Sequence, residues 1–139
     1  MASSPADIRA YVAAKLKAAA TLAGNNVENN RATVFWFGAL PAVNVVFAEE
    51  EIDPSGPQSS PVRAMIGQLQ VWAITKTENG DIDTLNRQIR AALNTDRQLG
   101  GNVSLCEYQG WRQLVNDKVT PPFLAHILRY ELRYQDKLT

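Results

Sequence analysis

The sequence predicts an α+β fold: a mostly antiparallel, mixed β-sheet with two main amphipathic helices packed on one face. Three observations carry that expectation. Two stretches repeat apolar residues at the helical period, and several others alternate or run apolar at strand length. The order is helix, several strands, helix, two strands, and the tips between consecutive strands look like hairpins. Two amphipathic helices need an apolar sheet face on which to bury their stripes.

The first helix is expected over Pro5 to Leu22. Ser4 is a capping residue, Pro5 suits the first helical position, and Asp7 favours the positive end of the dipole. Ile8, Val12, Leu16 and Ala19 recur on one face, with Tyr11 and Leu22 beside it, and Gly24 is a plausible stop. Asn25 to Asn30 reads as a polar turn. Thr33 to Phe37 is a short aromatic strand candidate. Val43 to Ala48 reads as a buried strand running into Glu49, Glu50, Glu51 and Ile52. Pro54 to Pro61, with three prolines, one glycine and three serines, reads as a flexible hairpin tip. Val62 to Thr77 is a long central strand, with Met65, Leu69 and Val71 on one face and Ile66, Trp72 and Ile74 on the other.

Asn79-Gly80-Asp81 ends that strand and caps a second helix, in which Ile82, Leu85, Ile89 and Leu93 give the 3.6 period with Ala92 alongside. Asn94 and Thr95 stop it, and Asp96 to Gly101 is a turn. Val103 to Val115 is a strand with broken alternation. Asn116 to Pro122 is a connection. Phe123 to Tyr134 has the clearest strand pattern: Leu124, His126, Leu128, Tyr130, Leu132 and Tyr134 on one face, and Ala125, Ile127, Arg129, Glu131 and Arg133 on the other.

The 139 residues are one domain by length, 1–139, with no internal repeat. Scaling gives about 7,100 Å² of folded surface, so roughly two-thirds of the chain's surface is buried. Hydrophobic residues are 45% and charged residues 20%, a globular balance. Lys plus Arg number 14, as do Asp plus Glu. That zero balance argues against a protein living on phosphate contacts. The lone cysteine excludes an internal disulfide and a multi-cysteine zinc site, and the lone histidine excludes a His-rich metal site. No run is long enough to span a membrane, and the start lacks signal-peptide order, so a soluble protein made in a cytoplasm is expected.

Little in the chain is arranged for chemistry. Cys106 and His126 are a conceivable nucleophile and base. A hairpin around 116–121 would instead place Cys106 nearer Arg129, and both residues read as core fillers. Glu49, Glu50, Glu51 and Asp53 form the one acidic run. Only Glu49 and Glu51 converge on a strand, so a solvated strand end or a charged contact with a partner outweighs metal chemistry. Gly100-Gly101 lies outside any phosphate-cradling pattern and reads as a tight turn. Arg87, Arg90 and Arg97 are a candidate basic patch together with Arg129 and Arg133. The charge split about Ser60 is only −2 against +2, however, which is weak support for nucleic-acid binding. Arg129, Glu131 and Arg133 alternate in sign along the last strand, as on an exposed sheet face or an oligomer contact. No catalytic, cofactor-binding or metal-ligating set emerges.

Five features resemble the tail terminator (tail completion) proteins of lambda-like long-tailed bacteriophages. They are the opening helix of about five turns; Leu40-Pro41-Ala42-Val43-Asn44-Val45-Val46-Phe47 followed by acidic residues; and Leu69-Gln70-Val71-Trp72-Ala73 before an acid-capped helix. The others are Asp96-Arg97-Gln98-Leu99-Gly100-Gly101-Asn102-Val103 and the closing Leu128-Arg129-Tyr130-Glu131-Leu132-Arg133-Tyr134. The likeness covers nearly the full length. It is least typical over Asn25 to Phe37.

The resemblance implies a virion component, assembled in the host cytoplasm. It would form a homo-oligomeric ring, six-membered in the family, on the head-proximal end of the tail tube. The ring would stop tube growth and meet the head connector, with DNA only passing through the lumen. No reaction and no cofactor would be involved. Physical argument then assigns Glu49, Glu50, Glu51 and Asp53 to stacking contacts, and Arg129, Glu131 and Arg133 to ring neighbours or lumen. The alternatives are a neck, head-completion or minor tail protein of the same fold, or a small ligand-binding module with a pocket under Trp36 or Trp72. Asp96 and Leu99 to Gly101 are expected to serve the fold.

Overall fold

The computed structural model describes residues 3–29, 40–56, 62–76, 81–116 and 123–137. The expected strand at Thr33 to Phe37, the Asn79-Gly80 cap and most of the Pro54 to Pro61 tip lie outside them, as does Trp36. The elements are α1 (Pro5–Ala18), β1 (Val27–Asn29), β2 (Ala42–Ile52), β3 (Val62–Lys76), α2 (Ile82–Asn94), a short 3-10 turn (Leu99–Gly101), β4 (Leu105–Asn116) and β5 (Phe123–Lys137). The strands form one sheet in the order β1-β2-β3-β5-β4. Every pairing is antiparallel except β1 with β2, which makes the sheet mixed. The α+β expectation holds.

Side-chain alternation decides which sheet face is the core. Val43, Val45 and Phe47 of β2 line up in register with Leu69, Val71 and Ala73 of β3. They continue to Leu128, Tyr130 and His126 of β5. Onto this face α1 lays Ile8, Val12 and Leu16, and α2 lays Ile82, Leu85, Ile89 and Leu93, all of them buried. Burying a Leu- or Ile-sized side chain gains about 1.5–3 kcal/mol, so this layer dominates stability. The exposed area is 7506 Å², close to the scaling expectation. A small second cluster, Ala42, Ile74 and Ala125 with Leu40, Trp72 and Phe123 against it, sits on the opposite face at one end of the sheet.

α1 begins as expected. The Ser4 hydroxyl accepts from the Asp7 N–H at 3.2 Å while the Asp7 carboxylate accepts from the Ser4 N–H at 3.2 Å, a reciprocal cap. It ends earlier than expected. Ala19 caps it, Ala20 turns to φ 52°, and the Leu22 N–H donates to Gln88 Oε1 of α2 at 2.8 Å. The chain leaves the helix to dock on its neighbour, so Ala19 and Leu22 are exposed instead of sharing the apolar stripe. The Asn25 to Asn30 stretch is not all turn, because Val27, Glu28 and Asn29 pair in parallel with Val43, Asn44 and Val45. The broken alternation of β4 is a bulge between Tyr108 and Gly110 that faces Tyr130 and Arg129.

The Asp96–Gly100 turn ties both helices together. One Asp96 oxygen accepts from the Tyr11 hydroxyl of α1 at 2.5 Å, the other accepts from the Gly100 N–H at 3.0 Å, and Lys15 Nζ lies 3.6 Å away. These donors hold the Asp96 carboxyl below its usual range, the Tyr11 hydroxyl foremost. The expected fold role of Asp96 and its glycines is met.

Candidate functional site

The two candidate groups chosen for a partner interface come from strands 80 residues apart, and the fold brings part of them together. Past the end of β2, Asp53 Oδ2 accepts from Arg133 Nη1 of β5 at 3.2 Å. Arg133 Nη2 also lies 3.5 Å from Glu131 Oε1. Asp53 is clamped besides by the Ser55 hydroxyl at 2.7 Å and its N–H at 3.0 Å. Those Ser55 bonds, and then Arg133, hold its carboxyl below the ordinary range.

On the sheet face turned away from the helices, register builds bands of charge. Glu49 lies opposite Gln68, Gln68 opposite Glu131, and Glu131 opposite Glu107. The next row holds Gln70 and Arg129, and the row on the other side holds Glu51, Ile66 and Arg133. Like charges facing across strands repel, and the Arg133 bond to Glu131 relieves that. Glu49 and Glu51 share this face, as alternation requires. Glu50 points to the helix side, where its carboxylate accepts from the Tyr134 hydroxyl. So Glu49, Glu51, Asp53, Arg129, Glu131 and Arg133 belong to one face, and Glu50 does not.

The same alternation corrects the five-arginine patch. Arg129 and Arg133 lie on the outer face, whereas Arg87, Arg90 and Arg97 gather on the helix side. There, α2 and the turn after it overhang the start of β4 and leave a cavity of about 520 Å³. Cys106, Tyr108 and Tyr130 line it beneath the three arginines, with Glu107 at its rim. The Arg90 guanidinium stands 5.5 Å from the centre of the Tyr108 ring, a cation–π contact. None of the three arginines has an ion pair among the described residues. Arg90 Nε and the Tyr130 hydroxyl are buried without a hydrogen-bond partner.

Both rims of the sheet are open among the described residues. Among the described residues β1 covers only Val43 to Val45 of β2, and none pairs with the outer edge of the half carrying Glu49, Glu50 and Glu51. At the far rim, the Cys106 N–H donates to the Arg97 carbonyl at 2.8 Å, and from Glu107 onward β4 pairs only with β5. Tyr108, Trp111, Leu114 and Val115 are exposed there. Sequence reading missed this apolar rim because the bulge hides its alternation. The run Trp111, Leu114 and Val115 was the available signal.

Cys106 and His126 do not meet. Cys106 faces Leu132 rather than Arg129, and His126 faces Gln113, so six residues of strand, about 20 Å, separate them. Burial pushes the Cys106 thiol up to about 12, which keeps it protonated at neutral pH. His126 is a core residue. The Asn86 amide lies 2.9 Å from Nδ1, Gln113 Oε1 lies 3.2 Å from Nε2, and Trp111 stacks on the ring at 4.0 Å. With Asn86 donating to Nδ1, the proton sits on Nε2 and the ring is neutral. Burial lowers its pKa. A lowered folded-state pKa means that the His126 contribution is present above the unfolded value of about 6.5 and is lost as pH falls below it. The denaturant midpoint should therefore drop between pH 7.5 and 5.0, and less so in His126→Gln; an identical drop in both proteins would exclude His126 as the source.

Among the described residues, no three His, Cys, Asp or Glu side chains gather as a metal site. Nor is any described helix long and apolar enough to cross a membrane.

No protein-family model matches the chain, and no curated protein does. Among solved structures, it is similar to a chain of the "Virion of native gene transfer agent (GTA) particle". The two are 14% identical, with a TM-score of 0.45, and the match covers 91% of this chain and 93% of that one.

Proposed function

We propose that this chain is a structural virion protein that closes into a ring on the head-proximal end of a phage tail tube. There it stops tube polymerisation and joins the tail to the head connector. The observation that carries the reading is the pair of sheet rims, open among the described residues, on opposite sides of one subunit. One rim bears Glu49, Glu50 and Glu51, and the other, β4, starts beneath Arg87, Arg90 and Arg97 and carries the exposed Trp111, Leu114 and Val115 farther along. Rims of opposite character suit a head-to-tail contact, and such contacts close into rings when the rotation per subunit allows. The resemblance of the LPAV strand, the LGG turn and the closing strand to tail terminators supports a six-membered ring. The banded outer face, with Asp53, Arg129, Glu131 and Arg133, is suited to stacking against another protein, because mixed charges set register and reject wrong partners. The reading needs no cofactor and assigns no reaction.

Electron microscopy of the purified protein, with and without isolated tail tubes, tests it. Rings about as wide as a tube, or caps at one tube end, are expected; monomers that leave tube ends bare would overturn the reading. Reversing Arg129 and Arg133 together to Glu should abolish capping, with circular dichroism checking that the subunit stays folded although Arg133 loses its bond to Asp53. Wild-type yields of capped tubes from that double variant would remove the outer face from the interface.

A further inference from the structure

We infer that the cavity under Arg87, Arg90 and Arg97 is a carboxylate-binding site whose occupant is the acidic β2 rim, Glu49 to Glu51, of a second copy of this chain. The inference rests on the ring reading and deepens it by naming the two surfaces that mate.

Three observations point to a ligand. The cavity, about 520 Å³, is large enough for one or two side chains. Its floor presents the Tyr130 hydroxyl, a donor on a residue only 4% exposed, with no partner. Its wall presents Arg90 Nε, equally unpartnered. Buried donors left unpaired are costly, and a native fold ordinarily satisfies them. A carboxylate entering between them would accept from both, and Arg87 and Arg97 would supply charge-assisted bonds at the mouth.

Charge decides between a carboxylate and a phosphate-bearing polymer. Glu107 stands at the cavity rim, and the outer face beyond it carries Glu131 and Glu49, so no continuous basic track leads away for a phosphodiester chain to follow. A short acidic strand fits instead. Glu49 and Glu51 have no ion pair among the described residues, and their rim lies across the sheet from the cavity, as a head-to-tail contact requires. The exposed Tyr108, which lines the cavity, would add apolar area to the same contact.

The test is a charge exchange read by analytical ultracentrifugation and native mass spectrometry. Arg90→Glu with Arg97→Glu should weaken self-association about 100-fold, at roughly tenfold for each reversed pair. Glu49→Arg with Glu51→Arg should do the same. Mixing the two variants should restore assembly in alternating order, an outcome that a merely misfolded variant cannot give. Failure of the mixture to assemble, or wild-type assembly of the arginine variant, would overturn the site while leaving ring formation itself intact. A second arm is independent of rings. A synthetic peptide spanning Val46 to Asp53, titrated into the whole protein, should shift the Arg90 Nε–H resonance in NMR spectra, and inorganic phosphate at equal concentration should shift it less. Shifts with the peptide in a protein that forms no rings would uphold the site and sink the ring. A peptide without effect, or phosphate that binds in its place, would sink the site.

Discussion

Gly100→Ala is expected to destabilise the protein by about 3 kcal/mol. Gly100 has φ +66°, a left-handed conformation that costs a residue with a side chain about 1 kcal/mol. The new methyl would also lie 2.6 Å from Tyr11 Cε2 and 2.8 Å from its hydroxyl oxygen. Tyr11 would have to swing away, and the Tyr11–Asp96 bond that joins α1 to the turn after α2 would break, at about 2 kcal/mol more. Urea denaturation measures the loss. Repeating it in a Tyr11→Ala background separates the parts: there Gly100→Ala should cost only about 1 kcal/mol, because the clash and the bond are already gone. An equal loss in both backgrounds would show that Tyr11 is not what the glycine accommodates.

Raising the pH should unfold the protein from beneath. The Cys106 thiol, 5% exposed, is pushed by burial up to about 12. Burial likewise raises Tyr130 and Tyr134, whose bond to Glu50 adds to the shift. A raised folded-state pKa means that each contribution is intact below the unfolded pKa and is lost as the unfolded chain ionises above it. For the thiol that window opens near pH 9, so about 2 kcal/mol should disappear by pH 10.5, before the tyrosines dominate. Cys106→Ala should flatten this early part of the profile and leave the later part. A wild-type midpoint that stays level to pH 10.5 would contradict the burial of the thiol.

How much was legible in the sequence depended on how local the cause was. α2 was readable to its ends because Ile82, Leu85, Ile89 and Leu93 face one sheet surface, and β5 because six core side chains alternate without interruption. β1 was not, since Val27 alone among its three residues is buried and its pairing partner lies beyond the turn. The end of α1 was misplaced because Ala18 to Leu22 favour helix, while the docking of Leu22 on Gln88 stops it. For the site, alternation correctly separated Glu50 from Glu49 and Glu51. Strand alternation does not relate a helix to a strand, so the sequence offers no sign that the sheet divides Arg87, Arg90 and Arg97 from Arg129 and Arg133. The Asp53–Arg133 bond spans 80 positions, and no local pattern encodes it.

The order β1-β2-β3-β5-β4 also shapes how the chain reaches this structure. β3 and β5 form the longest ladder at the sheet's centre, yet α2, the turn after it and all of β4 are synthesised between them. Closing that loop demands chain entropy before any of its contacts reward it. High contact order of this kind slows folding towards milliseconds or seconds. Until β5 emerges, β3 is paired on one edge only, by β2, and β4 lacks its one partner among the described residues, so the nascent chain passes through a stage with unpaired strand edges. Faster translation through β5 or a chaperone that shields β3 and β4 should therefore raise the soluble yield more than any change that strengthens the finished core.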